Sequence, residues 1–171
     1  MQNPVREIPN VIHLLSTNAS SEAQRRAIET YFLPDAVFTH TICSATPRHR
    51  ILAIYRWYHI ISPVVDLSVN SVAFDEANRT LYVSMRQSLT FWIFPWISPS
   101  ASLVTVLNLE KLGPDQNQFA QNGADPSRDR WYIARQSDYY DTDEFSKFIP
   151  VVGPLLKCVF YASCGDGTEA G

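Results

Sequence analysis

The order of the hydropathy patterns predicts an α+β chain, with helices packed on the concave face of a curved antiparallel sheet of about four to six strands. Three observations carry this. Apolar residues recur at helical spacing through the first third of the chain. From residue 64 the period changes to two. Four strand-like runs then follow one another with no helical pattern between them. A sheet closed partly by helices leaves a pocket in its concave face, mostly apolar with a few placed polar groups.

The elements follow in order. Val5, Ile8, Val11, Ile12 and Leu15 form a helical stripe, and Pro9 predicts a short turn before the helix proper. "NASSEAQRRAIETYF" reads as a second helix, with a serine N-cap, Glu22 in the first turn, and Ala23, Ala27, Ile28 and Tyr31 on one face. Pro34 and Asp35 stop it, and "AVFTHT" is a short extended piece. A third helix is expected over residues 48–61, where Ile51, Ile54, Tyr55, Tyr58 and Ile61 share a face. Ser62-Pro63 ends it, because the residue before proline disfavours the helical conformation. Strands are expected over 64–75, 79–94, 101–112 and 130–138. Residues 113–129 form a polar, Gly/Pro-rich loop expected to be mobile. No internal repeat is visible.

Composition narrows the function. The chain has 171 residues, 46% hydrophobic and 18% charged, which suits one globular domain with one core. The net charge of −3, with 14 scattered Lys and Arg, argues against nucleic acid as the partner. Three cysteines, Cys43, Cys158 and Cys164, show no framework or metal-ligand spacing and read as free thiols in a reducing compartment. The first ten residues hold no apolar signal segment, and the sequons at Asn18 and Asn78 read as chance matches. The expected location is cytoplasmic. Residues 1–148 read as the domain and 149–171 as an apolar segment with a polar tail. The stretch 148–164 is too short and too broken by Pro150, Gly153 and Pro154 to span a bilayer. It packs on the domain or makes a peripheral membrane contact, and both readings stay open.

The candidate chemistry sits at a few positions. In "WYIARQSDYYDTDEF", Asp138 alternates with Tyr132, Ala134 and Gln136. If that face looks into the cone, Asp138 is a desolvated carboxylate with a raised pKa, suited to proton transfer. If it looks out, Asp138 is an N-cap for the acidic turn that follows. His40 alternates with Phe38, so a buried Phe38 takes His40 inward. His49 and His59 read as surface or helix-end groups, and His13 as a weaker candidate. The histidines form no HxxxH pair and no carboxylate cluster stands with them, so no metal is expected. Tyr55, Arg56, Trp57 and Tyr58 form an aromatic patch, mostly core, in which a tyrosine hydroxyl could donate to a reacting oxygen. Arg86 alternates with Ser84, Ser88, Thr90 and Trp92, a set that reads as the outward face, against Val83, Met85, Gln87, Leu89 and Phe91. No GxSxG, P-loop, GxGxxG or Cys/His nucleophile signature is present.

The order helix, helix, "PDAVFTH", helix, then strands ending "RQSDYYDTDEF" resembles the NTF2-like, or SnoaL-like, cone fold over about residues 5–148. "NPVREIPNVIHLL", "IYRWY" and "VNSVAFDE" are similar to the fungal SigF-like subgroup. Relatives of that subgroup include hydrolases of the aurovertin and citreoviridin pathways, which act on polyepoxides of polyene pyrones. Limonene-type epoxide hydrolases share the fold, and their last strand ends in an aspartate that resembles Asp138 before "YYD". Their water-positioning Asn falls on His40, near where ketosteroid isomerases of this fold place their base. Their Arg-x-Asp on a middle strand has no full counterpart, since "VSMRQSL" holds Arg86 and Gln87 but no Asp.

The resemblance implies a cofactor-independent epoxide hydrolase or cyclase of fungal polyketide biosynthesis, acting on a polyene or polyepoxide. Asp138 would be the base and His40 would orient the nucleophile or protonate the epoxide oxygen. Tyr58 would hydrogen-bond the alkoxide, and Arg86 would serve as a weaker electrostatic stabiliser. Trp57, Phe91 and Trp92 would wall the substrate, with Thr105 as a further binding residue. Two rivals stand beside this: an isomerase or dehydratase acting on a carbonyl compound, and a non-catalytic ligand-binding protein held at a membrane. In a binder, a cap or an ion pair with Arg130 or Arg135 should explain Asp138. A homodimer is the remaining partner expectation.

Overall fold

A computed structural model describes residues 1–17, 20–92, 95–96, 98–113, 129–141 and 143–144. Helices α1 (Pro4–Ser16), α2 (Ser21–Tyr31) and α3 (Arg48–Ile61) pack against a curved sheet of six strands. The strands are β1 (Phe32–Thr39), β2 (Ser44–Ala45), β3 (Val64–Asp75), β4 (Thr80–Thr90), β5 (Ser100–Leu112) and β6 (Arg130–Tyr140). Their order across the sheet is β2-β1-β6-β5-β4-β3. Every pair is antiparallel except β1 with β6, which run parallel.

Two prolines behave differently from expectation. Pro9 lies inside α1, which runs unbroken from Pro4. An interior proline costs about 3 kcal/mol. Ile8, Val11, Ile12 and Leu15 are all buried on one face, and each contributes roughly 1.5–3 kcal/mol, so the stripe outweighs the lost hydrogen bond. Pro34 does not merely stop α2. It sits within β1, which begins at Phe32, four residues before the expected extended piece. The β1/β6 register shifts between Phe32 and Val37, and proline is tolerated in a strand where the ladder is interrupted in this way.

The long strands follow their alternation, and register shows which residues share a face. Directly opposed residues point the same way. Phe38, Gln136, Leu107 and Leu81 form one inward row, Asp138, Thr105 and Val83 the next, and Tyr140, Leu103 and Met85 a third. The β5/β6 register shifts between Asn108 and Leu109, with Asn108 opposite Arg135 and Leu109 opposite Ile133. Ala134 is the extra residue of this bulge. Ile133 therefore joins Gln136 and Asp138 on the inner face, where simple alternation puts Ala134, and Tyr132 is buried in the core as well. Strand β4 stops at Thr90, not Phe94, and β6 runs two residues past Asp138.

The main core fills the space between helices and sheet, from Ile8 and Leu15 of α1 to Leu81 and Leu107 of the sheet. A smaller cluster of Ile61, Phe91 and Ala101 closes the other end. No helix among the described residues is long and apolar enough to cross a membrane. The apolar stretch 148–164, with Cys158 and Cys164, lies outside the described residues, as do the sequon at Asn18 and loop residues 114–128.

Candidate active site

Between the two apolar clusters the sheet and helices enclose a cavity of about 300 Å³. Its walls are chiefly apolar, with Leu15 of α1, Leu67 of β3, Met85 of β4, Leu103 of β5 and Phe91 among them. Its polar groups are few: His40, Tyr55, Tyr58, His59, Gln87, Thr105, Gln136, Asp138 and Tyr140, with Ser16 at the end of α1.

Asp138 points inward because it lies opposite Thr105 in the ladder, and Thr105 is buried. The Thr105 hydroxyl donates to Asp138 Oδ1 at 2.7 Å. The Gln136 amide donates to Oδ1 at 3.1 Å and Oδ2 at 3.2 Å. Oδ1 thus receives two hydrogen bonds and Oδ2 one longer one, so Oδ2 is the freer oxygen for a proton. The carboxylate is surrounded by protein yet keeps some surface open to the cavity. Burial pushes its pKa up to about 6, and the Thr105 and Gln136 hydrogen bonds pull only part of the way back.

The cap role expected as an alternative for Asp138 falls to Asp141. Its Oδ1 accepts the backbone N–H groups of Asp143 and Glu144, both at 3.0 Å. Arg135 lies exposed, and Asp138 makes no ion pair among the described residues.

His40 follows directly on β1. The parallel register pairs Phe38 with Gln136 and Thr39 with Ser137, so His40 comes level with Asp138 one strand over. A tight turn fixes it. Its N–H donates to the Cys43 carbonyl at 2.8 Å, and Ile42 N–H donates to His40 Nδ1 at 3.3 Å. With Nδ1 accepting, the neutral ring carries its proton on Nε2. Burial lowers the pKa of His40 to about 4, so the ring is neutral at pH 7. It stacks on Phe38 and meets the edge of Tyr140, with ring centroids 4.9 Å apart in the second pair.

Tyr55 and Tyr58 come from one face of α3, three residues apart. The Tyr58 ring lies 6.0 Å from His40, centroid to centroid. Its hydroxyl is buried beside the Cys43 thiol and makes no oriented hydrogen bond among the described residues. Burial holds the Tyr58 and Tyr140 hydroxyls well above the usual phenol range, so both remain protonated donors. The Tyr140 hydroxyl donates to Gln87 Oε1 at 3.2 Å. Gln87 thus occupies the inner face of the middle strand that lacks the expected Asp.

The structure brings Asp138, His40, Tyr58, Thr105 and Phe91 to this one cavity. Three candidates lie elsewhere. Arg86 is on the outer face, bonded to Ser100 Oγ at 3.0 Å and facing Glu144 at 3.7 Å. Trp92 is 60% exposed, on the outward side that its alternation with Arg86 indicates, and so does not wall the cavity. Trp57 packs beside Tyr58 against the smaller apolar cluster and does not line the cavity. Gln136, Tyr140 and Gln87 were missed as site residues. Parity marked the first two, since they share the face of Asp138. Among the described residues, no group of three His, Cys, Asp or Glu stands close enough to hold a metal ion.

Comparison with known proteins places this geometry in a family. A search of curated proteins returns no match. Solved structures share the fold at low identity. One from Shewanella denitrificans OS-217, described as a SnoaL-like polyketide cyclase, has a TM-score of 0.58 at 14% identity, covering 83% of this chain and 93% of its own. One from Agrobacterium tumefaciens C58, described as an isomerase of the SnoaL-like family, has a TM-score of 0.57 at 11% identity, covering 80% and 97%. An LEH-like epoxide hydrolase of M. tuberculosis has a TM-score of 0.56 at 11% identity, covering 89% and 91%. The family model of the SigF NTF2-like domain matches residues 1–164, and the chain belongs to that family.

Proposed function

We propose that the protein is a cofactor-independent acid/base enzyme that opens epoxides, as a hydrolase or cyclase, on apolar polyketide intermediates of fungal secondary metabolism. One observation carries this reading. Asp138 is a carboxylate on the wall of an apolar cavity, held among the described residues by neutral donors only, with a pKa near the working pH. Cyclase, isomerase and epoxide-hydrolase names all occur among the structural neighbours, which supports the reading at the level of reaction class.

The steps follow from the geometry. Asp138 Oδ2 takes the proton of a hydroxyl, belonging either to water or to the substrate itself. That oxygen forms a bond to an epoxide carbon, and the ring C–O bond breaks with its electron pair going to the ring oxygen. The alkoxide receives hydrogen bonds from the Tyr58 hydroxyl and the His40 Nε2–H. The proton on Asp138 then returns to it through the cavity. Hydrolysis adds one water; cyclisation adds nothing. Neutral donors suit this task, because they stabilise the alkoxide without quenching the nearby carboxylate. The apolar walls exclude bulk water and favour internal attack by a substrate hydroxyl.

The same groups fit a second reaction, removal of a proton next to a carbonyl, with Tyr58 donating to the enolate oxygen. The buried, protonated phenol favours that reading equally at the oxygen pole. Incubation with a hydroxy-epoxide in H₂¹⁸O separates the outcomes. A cyclic ether without label supports the cyclase and a labelled diol the hydrolase. Unchanged epoxide, with deuterium uptake next to the carbonyl of a ketone probe in D₂O, overturns both in favour of the isomerase.

A further inference from the structure

Gln136 touches Asp138 from the deeper side and is itself held. Its amide nitrogen donates to both carboxylate oxygens, at 3.1 and 3.2 Å, and to the Tyr55 hydroxyl at 2.9 Å. The Tyr55 hydroxyl in turn donates to Gln136 Oε1 at 3.1 Å. Both side chains are almost fully buried, and 81 residues separate them in the chain. The orientation of the amide has a reason. Reversed, it would set Oε1 against an ionised carboxylate, two acceptors with no proton between them. The apolar neighbours of Gln136 are Leu107 and Phe38, opposite it on either side in the sheet. A glutamine there, where a leucine would fit, buries an amide at a cost that only its hydrogen bonds offset.

We infer that Gln136, anchored by Tyr55, is a positioning residue that holds the Asp138 carboxylate toward the cavity in its ionised form and so sets the pH above which the base works. This rests on Asp138 being the base proposed above. The amide proton that spans both oxygens stabilises the charged form and leaves Oδ2 turned to the cavity. Tyr55 closes a ring of hydrogen bonds with the amide, which keeps the carbonyl end occupied and the NH₂ end on Asp138. Among the described residues, the other titratable groups around the carboxylate are His40 from the end of β1, Cys43, Tyr58 from α3 and Tyr140 from β6. These carry no charge at pH 7, with the imidazole neutral and the thiol and phenols protonated. No cation among them holds Asp138 ionised, so that task falls on Thr105 and Gln136.

The test is a titration of the Asp138 carboxyl carbon by ¹³C NMR in wild type, Gln136→Met and Tyr55→Phe, with kcat/KM against pH measured on the same proteins. Loss of a donor to a charged group raises a carboxyl pKa by about one to two units. Gln136→Met should therefore move the Asp138 midpoint up by at least one unit, and Tyr55→Phe by a smaller step in the same direction. The acid limb of kcat/KM should follow both. At pH 6.5 the Gln136→Met enzyme should lose roughly tenfold in kcat/KM and recover most of it at pH 9. A midpoint that stays in place or falls in Gln136→Met, with the fold intact by circular dichroism, overturns the inference. Should Gln136→Met not fold, an unmoved midpoint in Tyr55→Phe overturns it instead. If the midpoint moves by NMR while activity is indifferent to it, the positioning role stands and the assignment of Asp138 as base fails.

Discussion

Two carboxylates stand six residues apart in the chain and on opposite faces of β5. Glu144 lies on the outer side, where its Oε2 accepts the Ser102 backbone N–H at 2.6 Å and Arg86 faces it at 3.7 Å. Those contacts pull its pKa below the usual range, with the Ser102 hydrogen bond first and the Arg86 charge adding less. Asp138 lies on the inner side beside Thr105, and burial moves its pKa the other way, up to about 6. Both accept short hydrogen bonds from β5. What differs is water and a cation. The outer acid is fixed as an anion and does structural work, while the inner one stays within reach of both protonation states at ordinary pH.

The sharpest way to break this comparison is to remove the inner carboxylate. Asp138→Asn keeps the shape and should reduce kcat by about 1,000-fold or more in an epoxide-opening assay. Retained turnover there would end the assignment of the base.

The next effect concerns stability, and its sign is opposite to that of most core substitutions. A carboxyl whose folded pKa is raised from 3.8 to about 6 favours folding when protonated, and that advantage is lost as pH rises from near 4 to above 6. Ionised Asp138 therefore costs wild type up to about 3 kcal/mol at pH 8. Asp138→Asn should melt higher than wild type at pH 8, and the gap should close toward pH 4. Calorimetry at the two pH values checks it, and a variant less stable at pH 8 contradicts the burial argument.

Smaller effects sharpen the picture. Tyr58→Phe should lower kcat by about 10- to 100-fold with little change in the pH midpoint, since in the proposed mechanism its hydroxyl bonds to the alkoxide and no hydrogen bond joins it to Asp138. Arg86→Ala, on the outer face, should change turnover by less than about twofold, as exposed ion pairs contribute little. A large loss there would show that the outer face reaches the cavity after all.

Much of this contrast was legible in the residues. Helix α3 and strand β3 came out with their full bounds because a strong period ended at Ser62-Pro63 and a new one began at Val64. The inward turn of His40 followed from Phe38, and the outward turn of Arg86 followed from its polar neighbours. The failures have different causes. Local rules misread Pro9 and Pro34, where long-range packing outweighs both. Trp92 is offered as a substrate wall for its aromatic ring, against its own alternation with the outward Arg86. The bulge at Ala134 depends on where β1 and β5 pair with β6, and no pattern within β6 reveals it. Gln136 and Tyr140 stood on the same face as Asp138 but carry no charge, so nothing in their chemistry drew notice until their partners were in view.

The neutrality of His40 beside Asp138 has a consequence for how the chain folds. At pH 5 the unfolded chain carries an imidazolium, with its ordinary pKa of 6.5, and a carboxylate, with its ordinary 3.8. In the folded protein the same two groups are an imidazole and a carboxylic acid. Stability gained at Asp138 as pH falls from 6 to 4 is lost at His40 over nearly the same range, where its depressed pKa makes protonation unfavourable. Folding in that window moves one proton from ring to carboxyl and exchanges none with solvent. The contributions of these two groups to stability therefore largely cancel in mild acid, while Asp138 itself becomes protonated.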